Sequence, residues 1–181
     1  NAAWSADGSQ AAYDVASGET GLYVYDLAEK RSTKLPLAVQ ASRAAWHPGG
    51  ASLLFTAPVG GVDQLFTLAL ACLKDNSCEK AAVQLTKDTK PSRGGVYSPD
   101  GAWIAFEREE GGVSGIYVMK ADGGGARRLS PVKASDRNPA WGGNDRLAFD
   151  RETAQGGRDL FLMKSDGSGA QELVKDARNP S

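Results

Sequence analysis

The sequence predicts an all-β fold: a β-propeller of four blades, with four antiparallel strands in each blade. Three observations support this prediction. One motif recurs four times, each copy contains short apolar or alternating runs, and turns rich in Gly, Asp and Pro separate the runs. Each copy has an opening aromatic residue, and these are Trp4, Trp46, Tyr97 and Trp141. Their spacings of 42, 51 and 44 residues are close to the period of about 40–50 residues that propellers and solenoids share.

The first strand of each copy ends at the opening aromatic, and a turn leads into the second strand. These turns are residues 5–8, 47–50, 98–101 and 142–145. A second aromatic residue ends the next apolar run, and the four are Tyr13, Phe55, Phe106 and Phe149. It follows the opening aromatic by nine residues in three copies and by eight in the fourth, whose turn is one residue shorter. Asp-Gly pairs in two of the turns supply the positive φ that tight hairpins need.

The third and fourth strands follow a glycine-containing linker. The third strand is predicted in four alternating runs, at residues 22–25, 65–68, 116–119 and 160–163. The fourth strand leads to a leucine in each copy, namely Leu35, Leu85, Leu129 and Leu173. Four strands in a period of this length indicate a propeller blade rather than a helical repeat. Because one blade cannot bury both faces of its sheet, we predict that blades stack and that the large aromatics pack between them.

We predict a single propeller domain over residues 1–181, with blades at about 1–36, 37–87, 88–131 and 132–176. Residues 177–181 are predicted to start a further blade, because Asn179-Pro180 repeats Asn138-Pro139. Four blades are at the low end of the usual range of about four to eight. Stacked blades leave apolar faces at both ends of the stack. We therefore expect either a piece of a larger propeller or a homodimer that completes the ring, with a compact four-blade ring as the alternative.

The third copy carries the clearest resemblance to a known family. Residues 97–106 (YSPDGAWIAF), 116–119 (IYVM) and 126–129 (ARRL) resemble the WD40-like repeat of TolB-type β-propellers. The resemblance covers essentially the whole chain and is loosest in the second copy, where an insertion follows the third strand. It implies a mostly extracytoplasmic module that binds or filters. Such propellers occur as partner-binding domains of the bacterial envelope, as sensor domains and as lids of prolyl-oligopeptidase-like peptidases, so the fold alone does not select a function.

Charge and hydropathy exclude two classes of partner. The net charge is −1, from 21 basic and 22 acidic residues, so nothing indicates binding to nucleic acid or to a membrane surface. No run approaches the roughly 18 apolar residues of a membrane span, and we expect no membrane insertion.

The two cysteines, Cys72 and Cys78, lie in the insertion of the second copy with five residues between them. We predict a disulfide between them, which would stabilise the fold by roughly 2 kcal/mol. Free thiols or half of a metal site are the alternatives. A disulfide requires an oxidising compartment, which agrees with a periplasmic or secreted location.

The sequence contains no catalytic motif, and we predict that the chain is not an enzyme. The only histidine, His47, occupies a turn position, and no Gly-x-Ser-x-Gly nucleophile motif, phosphate-binding loop or zinc spacing is present. Asp122 and Asp166 supply oxygen atoms on turns, but a calcium ion needs about six to eight oxygen ligands. Turn formation is the better explanation, so we predict no metal and no cofactor.

Arginines recur in the linker that joins the fourth strand of one blade to the first strand of the next, here called the D–A linker. Arg93, Arg137 and Arg178 lie four residues before an opening aromatic position, counting residue 182 for the last, and Arg43 lies three before Trp46. D–A linkers of a propeller gather at one mouth of its channel. We predict a basic rim there that suits a carboxylate or phosphate group. The alternative is that these arginines pair with neighbours such as Asp88, Asp136 and Asp176.

The loops between second and third strands, here called B–C loops, are predicted to open on the same face as the D–A linkers. Two of them, residues 107–112 and 151–158, are long, polar and glycine-rich, as binding loops often are. We therefore predict a non-enzymatic extracytoplasmic binding or scaffold module that engages a protein or peptide at this face. The alternatives are a substrate-gating propeller of a prolyl-oligopeptidase-like peptidase and a self-associating structural propeller.

Overall fold

The computed structural model describes residues 2–74 and 77–177, and within these ranges the chain forms four sheets of four strands. In every sheet the strands follow chain order and each pairs antiparallel with the next. This architecture confirms the predicted all-β propeller fold with four-stranded blades. The positions of the blade boundaries stay a prediction, and most of the further blade predicted at 177–181 lies outside the described residues.

The strands are numbered in chain order. Blade 1 contains β1 (Ala2–Trp4), β2 (Gln10–Val15), β3 (Gly21–Asp26) and β4 (Arg31–Lys34). Blade 2 contains β5 (Ser42–Trp46), β6 (Ser52–Val59), β7 (Val62–Ala69) and β8 (Val83–Gln84). Blade 3 contains β9 (Ser92–Tyr97), β10 (Trp103–Glu110), β11 (Val113–Lys120) and β12 (Arg127–Arg128). Blade 4 contains β13 (Asp136–Trp141), β14 (Arg146–Glu152), β15 (Arg158–Lys164) and β16 (Gln171–Val174).

The insertion after β7 contains the two helical segments of the described residues. A 3-10 helix, Leu70–Lys74, is followed by a single α-helical turn, α1 (Cys78–Ala81). Cys72 and Cys78 form a disulfide that joins the two segments, with their Cα atoms 4.7 Å apart. Both cysteines are buried and belong to the apolar core of blades 1 and 2. The cross-link therefore fixes the insertion against this core.

An aromatic pair joins the second and third strands of every blade. The two rings lie directly opposite each other across the strands, with centroids 5.5 to 5.8 Å apart. The pairs are Tyr13–Tyr23, Phe55–Phe66, Phe106–Tyr117 and Phe149–Phe161. Cross-strand aromatic pairs are among the stronger contacts in sheets, so they hold the two central strands of each blade in register.

Blades 1 and 2 form one compact unit, Asn1–Thr89, and blades 3 and 4 form a second, Lys90–Ser181. In the first unit, the buried core includes Ala12, Leu22 and Val24 from blade 1 and Trp46 and Phe55 from blade 2, and the partly buried Phe66 packs against it. In the second unit, Ala105, Ile116 and Val118 from blade 3 and Phe149 from blade 4 belong to the buried core at the same repeat positions, and the partly buried Trp141 and Phe161 pack against it.

Two tryptophans also fix the stacking by hydrogen bonds between blades. The Trp46 indole N–H donates to the carbonyl of Ala3 at 2.9 Å, and the Trp141 indole N–H donates to the carbonyl of Val96 at 3.1 Å. The predicted packing of aromatics between blades is wrong for Trp4, which is 61% exposed. The reason is that Trp46 and Trp141 each pack on the preceding blade of their own unit, and blade 1 is the first blade of its unit.

The first strands of blades 2, 3 and 4 bulge three residues before the opening aromatic. In each of them the pairing with the second strand changes register. The residue at this point has a left-handed backbone, with φ of 52° at Arg43, 60° at Gly94 and 51° at Asn138. Because a bulge bends its strand, it sets the direction in which the D–A linker enters the blade.

Candidate functional site

The second unit contains an open, polar cleft at the end of the blades where the D–A linker meets the B–C loops. Its volume is about 600 Å³. Lys133, Ala134, Ser135 and Arg137 line it from the linker and the start of β13. The B–C loop of blade 3 contributes Gly112, and the end of β14 and the following loop contribute Glu152, Thr153 and Ala154. Within this unit, a D–A linker and two B–C loops therefore line one cleft.

The two B–C loops are shorter than the sequence suggested. The strands continue past the second aromatic, to Glu110 in blade 3 and to Glu152 in blade 4. The blade 3 loop is therefore only Gly111 and Gly112, whose φ values of 60° and 79° fit a two-residue hairpin turn. The blade 4 loop spans residues 153–157 and closes on itself. Thr153 accepts hydrogen bonds from the Gly156 and Gly157 N–H groups, both at 3.0 Å.

Arg137 is the predicted arginine that the structure places in the cleft. Its side chain is exposed, and Lys133 lines the same cleft four residues earlier. Within residues 2–74 and 77–177, neither side chain forms an ion pair with a carboxylate. Glu152, on the opposite wall, lies 3.6 Å from Arg158. The cleft thus presents two cationic groups together with one carboxylate that has a basic neighbour of its own.

Residues on both sides of Arg137 are anchored by buried contacts. Asp136 is fully buried and accepts two hydrogen bonds from Arg151, at 2.8 and 2.9 Å. The hydrogen bond to Asp136 also raises the pKa of Arg151 above its usual value. On the other side, the Asn138 backbone N–H donates to Glu107 at 3.0 Å, and its amide donates to Asp150 at 2.8 Å. The backbone that carries Arg137 is therefore held at both neighbouring residues.

The guanidinium of Arg151 also lies over the aromatic pair of blade 4, 5.4 Å from the Phe149 centroid and 4.5 Å from the Phe161 centroid. Blade 3 repeats this arrangement with Arg108, which lies 5.2 Å from Phe106 and 5.1 Å from Tyr117. In blade 3 the residue at the position of Asp136 is Ser92, whose hydroxyl accepts from Arg108 at 3.0 Å. Arg108 is buried and Arg151 is largely buried, and both belong to strands, whereas the sequence predicts them in B–C loops.

Arg93 has an ion-pair partner, in line with the alternative prediction. Its Nη2 lies 3.1 Å from Oε2 of Glu109. Glu109 lies on the paired strand β10 and is not one of the aspartates predicted as partners from the sequence. In the same region Lys90 pairs with Glu110, and its hydrogen bond, together with a weaker one from Tyr117, lowers the pKa of Glu110 below the usual value. The positive charge of Arg93 is therefore balanced by the carboxylate of Glu109, unlike the charge of Arg137.

The other two predicted rim arginines are placed differently. Arg43 belongs to the first unit, where it occupies the left-handed bulge position of β5 and is half-buried. Arg178 lies outside the described residues. A single rim that contains Arg43, Arg93, Arg137 and Arg178 stays a prediction.

The polar residues considered for catalysis or metal binding take part in turns. His47 Nδ1 accepts the Gly49 N–H at 3.0 Å. Asp122 accepts the Gly124 N–H, and Asp166 accepts the Ser168 N–H, both at 2.8 Å. Hydrogen bonds from Ser168 also lower the pKa of Asp166. These contacts explain why such residues occur at these positions, since Asp side chains favour turns by bonding to the backbone two residues later.

Residues 1–181 match the family model described as the TolB beta propeller domain. The chain belongs to this family. Over 97 residues, or 54% of the chain, it is 38% identical to the Tol-Pal system protein TolB of Anaeromyxobacter dehalogenans. The matching part spans only 20% of that relative's length.

Solved structures show the same fold. The putative TolB from Agrobacterium tumefaciens superposes with a TM-score of 0.81 at 20% identity, covering 97% of this chain and 66% of that one. A prolyl endopeptidase structure superposes with a TM-score of 0.69 at 17% identity, covering 98% of this chain and 28% of that one. The TolB-type propeller thus also resembles domains of larger enzymes in fold. Among the described residues, no helix has the length and apolar character needed to cross a bilayer.

Proposed function

We propose that this TolB-type propeller is a non-enzymatic, extracytoplasmic binding or scaffold module. Its ligand is an acidic segment of a protein or peptide, which binds in the cleft lined by Lys133, Arg137 and the B–C loops of blades 3 and 4. The observation that carries the proposal is the exposed Arg137 side chain in this open cleft of about 600 Å³. A guanidinium suits a carboxylate because it can donate two parallel hydrogen bonds to it.

The rigidity of the surrounding backbone supports the assignment. Asp136 and Asn138 are held by buried side chains, so Arg137 projects from a backbone that has little freedom to lose on binding. A preorganised donor binds more tightly than a flexible one because less conformational entropy is lost. Ser135 and Thr153 add hydroxyl groups to the cleft walls. Glu152 adds one negative charge, which favours ligands whose carboxylates lie towards Arg137.

An oxidising compartment is part of the proposal. The Cys72–Cys78 disulfide joins two segments of the insertion in blade 2. Disulfides of this structural kind persist in the periplasm and outside the cell. The curated relative's name places it in the Tol-Pal system, and we propose that this chain likewise works with protein partners in the periplasm or as a secreted protein.

Charge reversal at Arg137 tests the proposed site. The probe is a fluorescein-labelled peptide of glutamate and serine, and binding is measured by fluorescence anisotropy. Arg137→Glu should raise Kd at least about tenfold, because it replaces the donor by a repelling charge. Arg146→Glu is the matched control, since Arg146 begins β14 at the opposite end of the blade and is also exposed. Equal losses of affinity in both variants would mean that peptide binding depends on the net charge of the protein and not on Arg137. The site assignment would then be wrong.

A second candidate function is a substrate-gating propeller of a prolyl-oligopeptidase-like peptidase. The superposition with a prolyl endopeptidase over 98% of this chain favours it as the alternative. The two candidates differ in whether the natural protein contains a serine nucleophile. Labelling the native protein in its source extract with a fluorophosphonate probe distinguishes them. A labelled band recognised by antibodies to this propeller would support the peptidase, and an unlabelled one the binding module.

A further inference from the structure

A second pocket of the second unit lies between blades 3 and 4, and its volume is about 150 Å³. Trp103 and Arg127 line it from blade 3, and Trp141, Asn144, Ser165 and Asp166 line it from blade 4. We call it the tryptophan pocket. It lies at the end of the blades where first strands turn into second strands and third strands turn into fourth strands. This end is opposite to the cleft that contains Arg137, and the two sites share no lining residue.

Hydrogen bonds hold the polar side of the tryptophan pocket in place. The Arg127 guanidinium donates to the carbonyls of Ser165 and Asp166, both at 3.1 Å, so this side chain of blade 3 is bound to a turn of blade 4. The Asn144 side chain accepts the Asp100 N–H at 3.1 Å, which joins the turns that precede the second strands of the two blades. The pocket is therefore preformed, and a ligand loses little free energy in ordering it.

Trp141 is partly exposed at this pocket, unlike the tryptophan at the same repeat position of the first unit. Trp46 and Trp141 each donate the indole N–H to a carbonyl on the preceding blade of their own unit. Trp46 is nevertheless only 8% exposed, whereas Trp141 is half-buried. The two units therefore differ in what covers this tryptophan and not in how it bonds to the preceding blade.

The residue after the third strand also differs between the two units. Leu70 follows β7, and Ser165 follows β15. The two residues occupy the same repeat position, since each backbone N–H donates to the carbonyl of the residue before the second strand, at 2.9 and 2.8 Å. Leu70 packs against the apolar core that contains Trp46. The first unit thus supplies a leucine from its own chain at the position where the second unit has a serine and an open pocket.

The size and charge of the tryptophan pocket restrict its ligand. Pockets for whole small-molecule ligands usually measure about 300–1,000 Å³, so a volume of about 150 Å³ suits a single side chain. The lining carries one positive and one negative charge, from Arg127 and Asp166. An uncharged group therefore complements the pocket better than an ion of either sign. Trp103, which is 37% exposed, and Trp141 provide apolar surface for such a group.

We propose that the tryptophan pocket binds one aliphatic side chain, a leucine or a residue of similar size, from an uncharged segment of a partner protein. This side chain takes the place in the second unit that Leu70 takes in the first, and it covers Trp103 and Trp141. Ser165 and Asn144 lie on the wall, where they form hydrogen bonds with the partner's peptide groups. An aliphatic anchor in a preformed pocket with polar surroundings is a common arrangement at protein interfaces. The site is additional to the cleft proposed for acidic peptides.

Fluorine NMR of the whole chain, labelled with 5-fluorotryptophan, tests the proposal. The four tryptophans give four signals, which single Trp→Phe variants assign. The probe is the peptide acetyl-Gly-Ser-Leu-Ser-Gly-amide, and its matched control has alanine in place of leucine. We expect the leucine peptide to shift the signals of Trp103 and Trp141. It should bind at least about tenfold more tightly than the alanine peptide, because its side chain buries more apolar surface.

A substitution that fills the pocket from within the chain provides a second test. Ser165→Leu keeps the backbone hydrogen bonds of this residue and should weaken binding of the leucine peptide at least about tenfold. Ala121→Leu is the matched control, because Ala121 has the same repeat position in blade 3 but does not line the pocket. It should change Kd less than about twofold.

The two peptides give a decisive result on the unchanged chain, whether or not the variants fold. Equal Kd values for the leucine and alanine peptides would overturn the proposal. Shifts that fall mainly on Trp4 or Trp46, or no shift up to about 10 mM leucine peptide, would overturn it as well.

Discussion

Arg151 and Asp136 form a bidentate ion pair, with Nε–Oδ1 and Nη2–Oδ2 distances of 2.8 and 2.9 Å. Asp136 is fully buried, while about a fifth of the Arg151 side chain is exposed. The pair links the first strand of blade 4 to the second and fixes the residue directly before Arg137. The stability of the blade and the position of the proposed binding group therefore depend on the same contact.

Removing Asp136 should destabilise the second unit strongly. Asp136→Ala leaves a partly buried guanidinium without its carboxylate, and we expect the free energy of unfolding to fall by about 3 kcal/mol. Replacing both residues, as Asp136→Leu with Arg151→Met, should restore much of this loss, because no buried charge then remains unpaired. Urea unfolding of Asp136→Leu, of Arg151→Met and of the double variant measures the coupling between the two side chains. Additive losses would show that the two side chains act independently.

The contact between Glu107 and Asn138 should require a hydrogen-bond acceptor at position 107 but not a negative charge there. Glu107→Ala leaves the Asn138 N–H without the carboxylate that it contacts at 3.0 Å, and should cost about 2 kcal/mol. Glu107→Gln keeps an acceptor oxygen and should cost less than about 1 kcal/mol. Thermal unfolding of both variants provides the comparison. Equal losses in the two variants would contradict a hydrogen-bonding role.

The disulfide should stabilise the unit of blades 1 and 2. Replacing Cys72 and Cys78 together by alanine opens a short loop, and we expect a loss of about 2 kcal/mol from loop-closure entropy. Because both residues are also buried in the core of this unit, lost packing adds to the effect. Urea unfolding of the oxidised protein, the reduced protein and the alanine variant separates the two contributions. Unchanged stability after reduction would show that the disulfide does not stabilise this unit.

The turn that contains Asp7 in blade 1 should lose stability in acid. The Ser5 hydroxyl, together with the Ser9 hydroxyl and N–H, donates to Asp7 and lowers the pKa of this carboxyl to about 2. Because the folded pKa lies below the ordinary value of 3.8, the carboxylate stabilises the turn above that value and loses its effect as the pH falls towards 2. Ser5→Ala should raise the pKa of Asp7, as measured by NMR titration of its side chain. An unchanged titration would contradict the hydrogen-bonding cause.

Much of the fold is predictable from the sequence because the repeat is local. Each opening aromatic, turn and second aromatic lies within about ten residues of the next, and turn chemistry acts over such distances. The packing of Trp46 and Trp141 follows from the same repeat. The exposure of Trp4 does not, because it depends on which blade precedes it in the folded chain and not on its own surroundings in the sequence.

The candidate site is only partly predictable. The sequence indicates that D–A linkers and B–C loops meet, and Arg137 is one of the four arginines that it places at their rim. It does not show that Arg93 pairs with Glu109, since that contact depends on strand register. It also misplaces Arg108 and Arg151, because charged residues after an apolar run usually indicate a loop. Here the strands continue, and each guanidinium lies over the aromatic ring of the residue two positions earlier in its strand, Phe106 or Phe149. This spacing could have suggested their burial.

The central claim is that an acidic peptide binds at Arg137, and NMR mapping of backbone amide shifts tests it most directly. The labelled chain is titrated with the peptide of glutamate and serine. Our account predicts that the largest shift changes fall on residues 133–137, on Gly112 and on residues 152–154, and that Arg137→Glu abolishes them. Shift changes that concentrate elsewhere, or that are spread evenly over the basic residues of the surface, would contradict it.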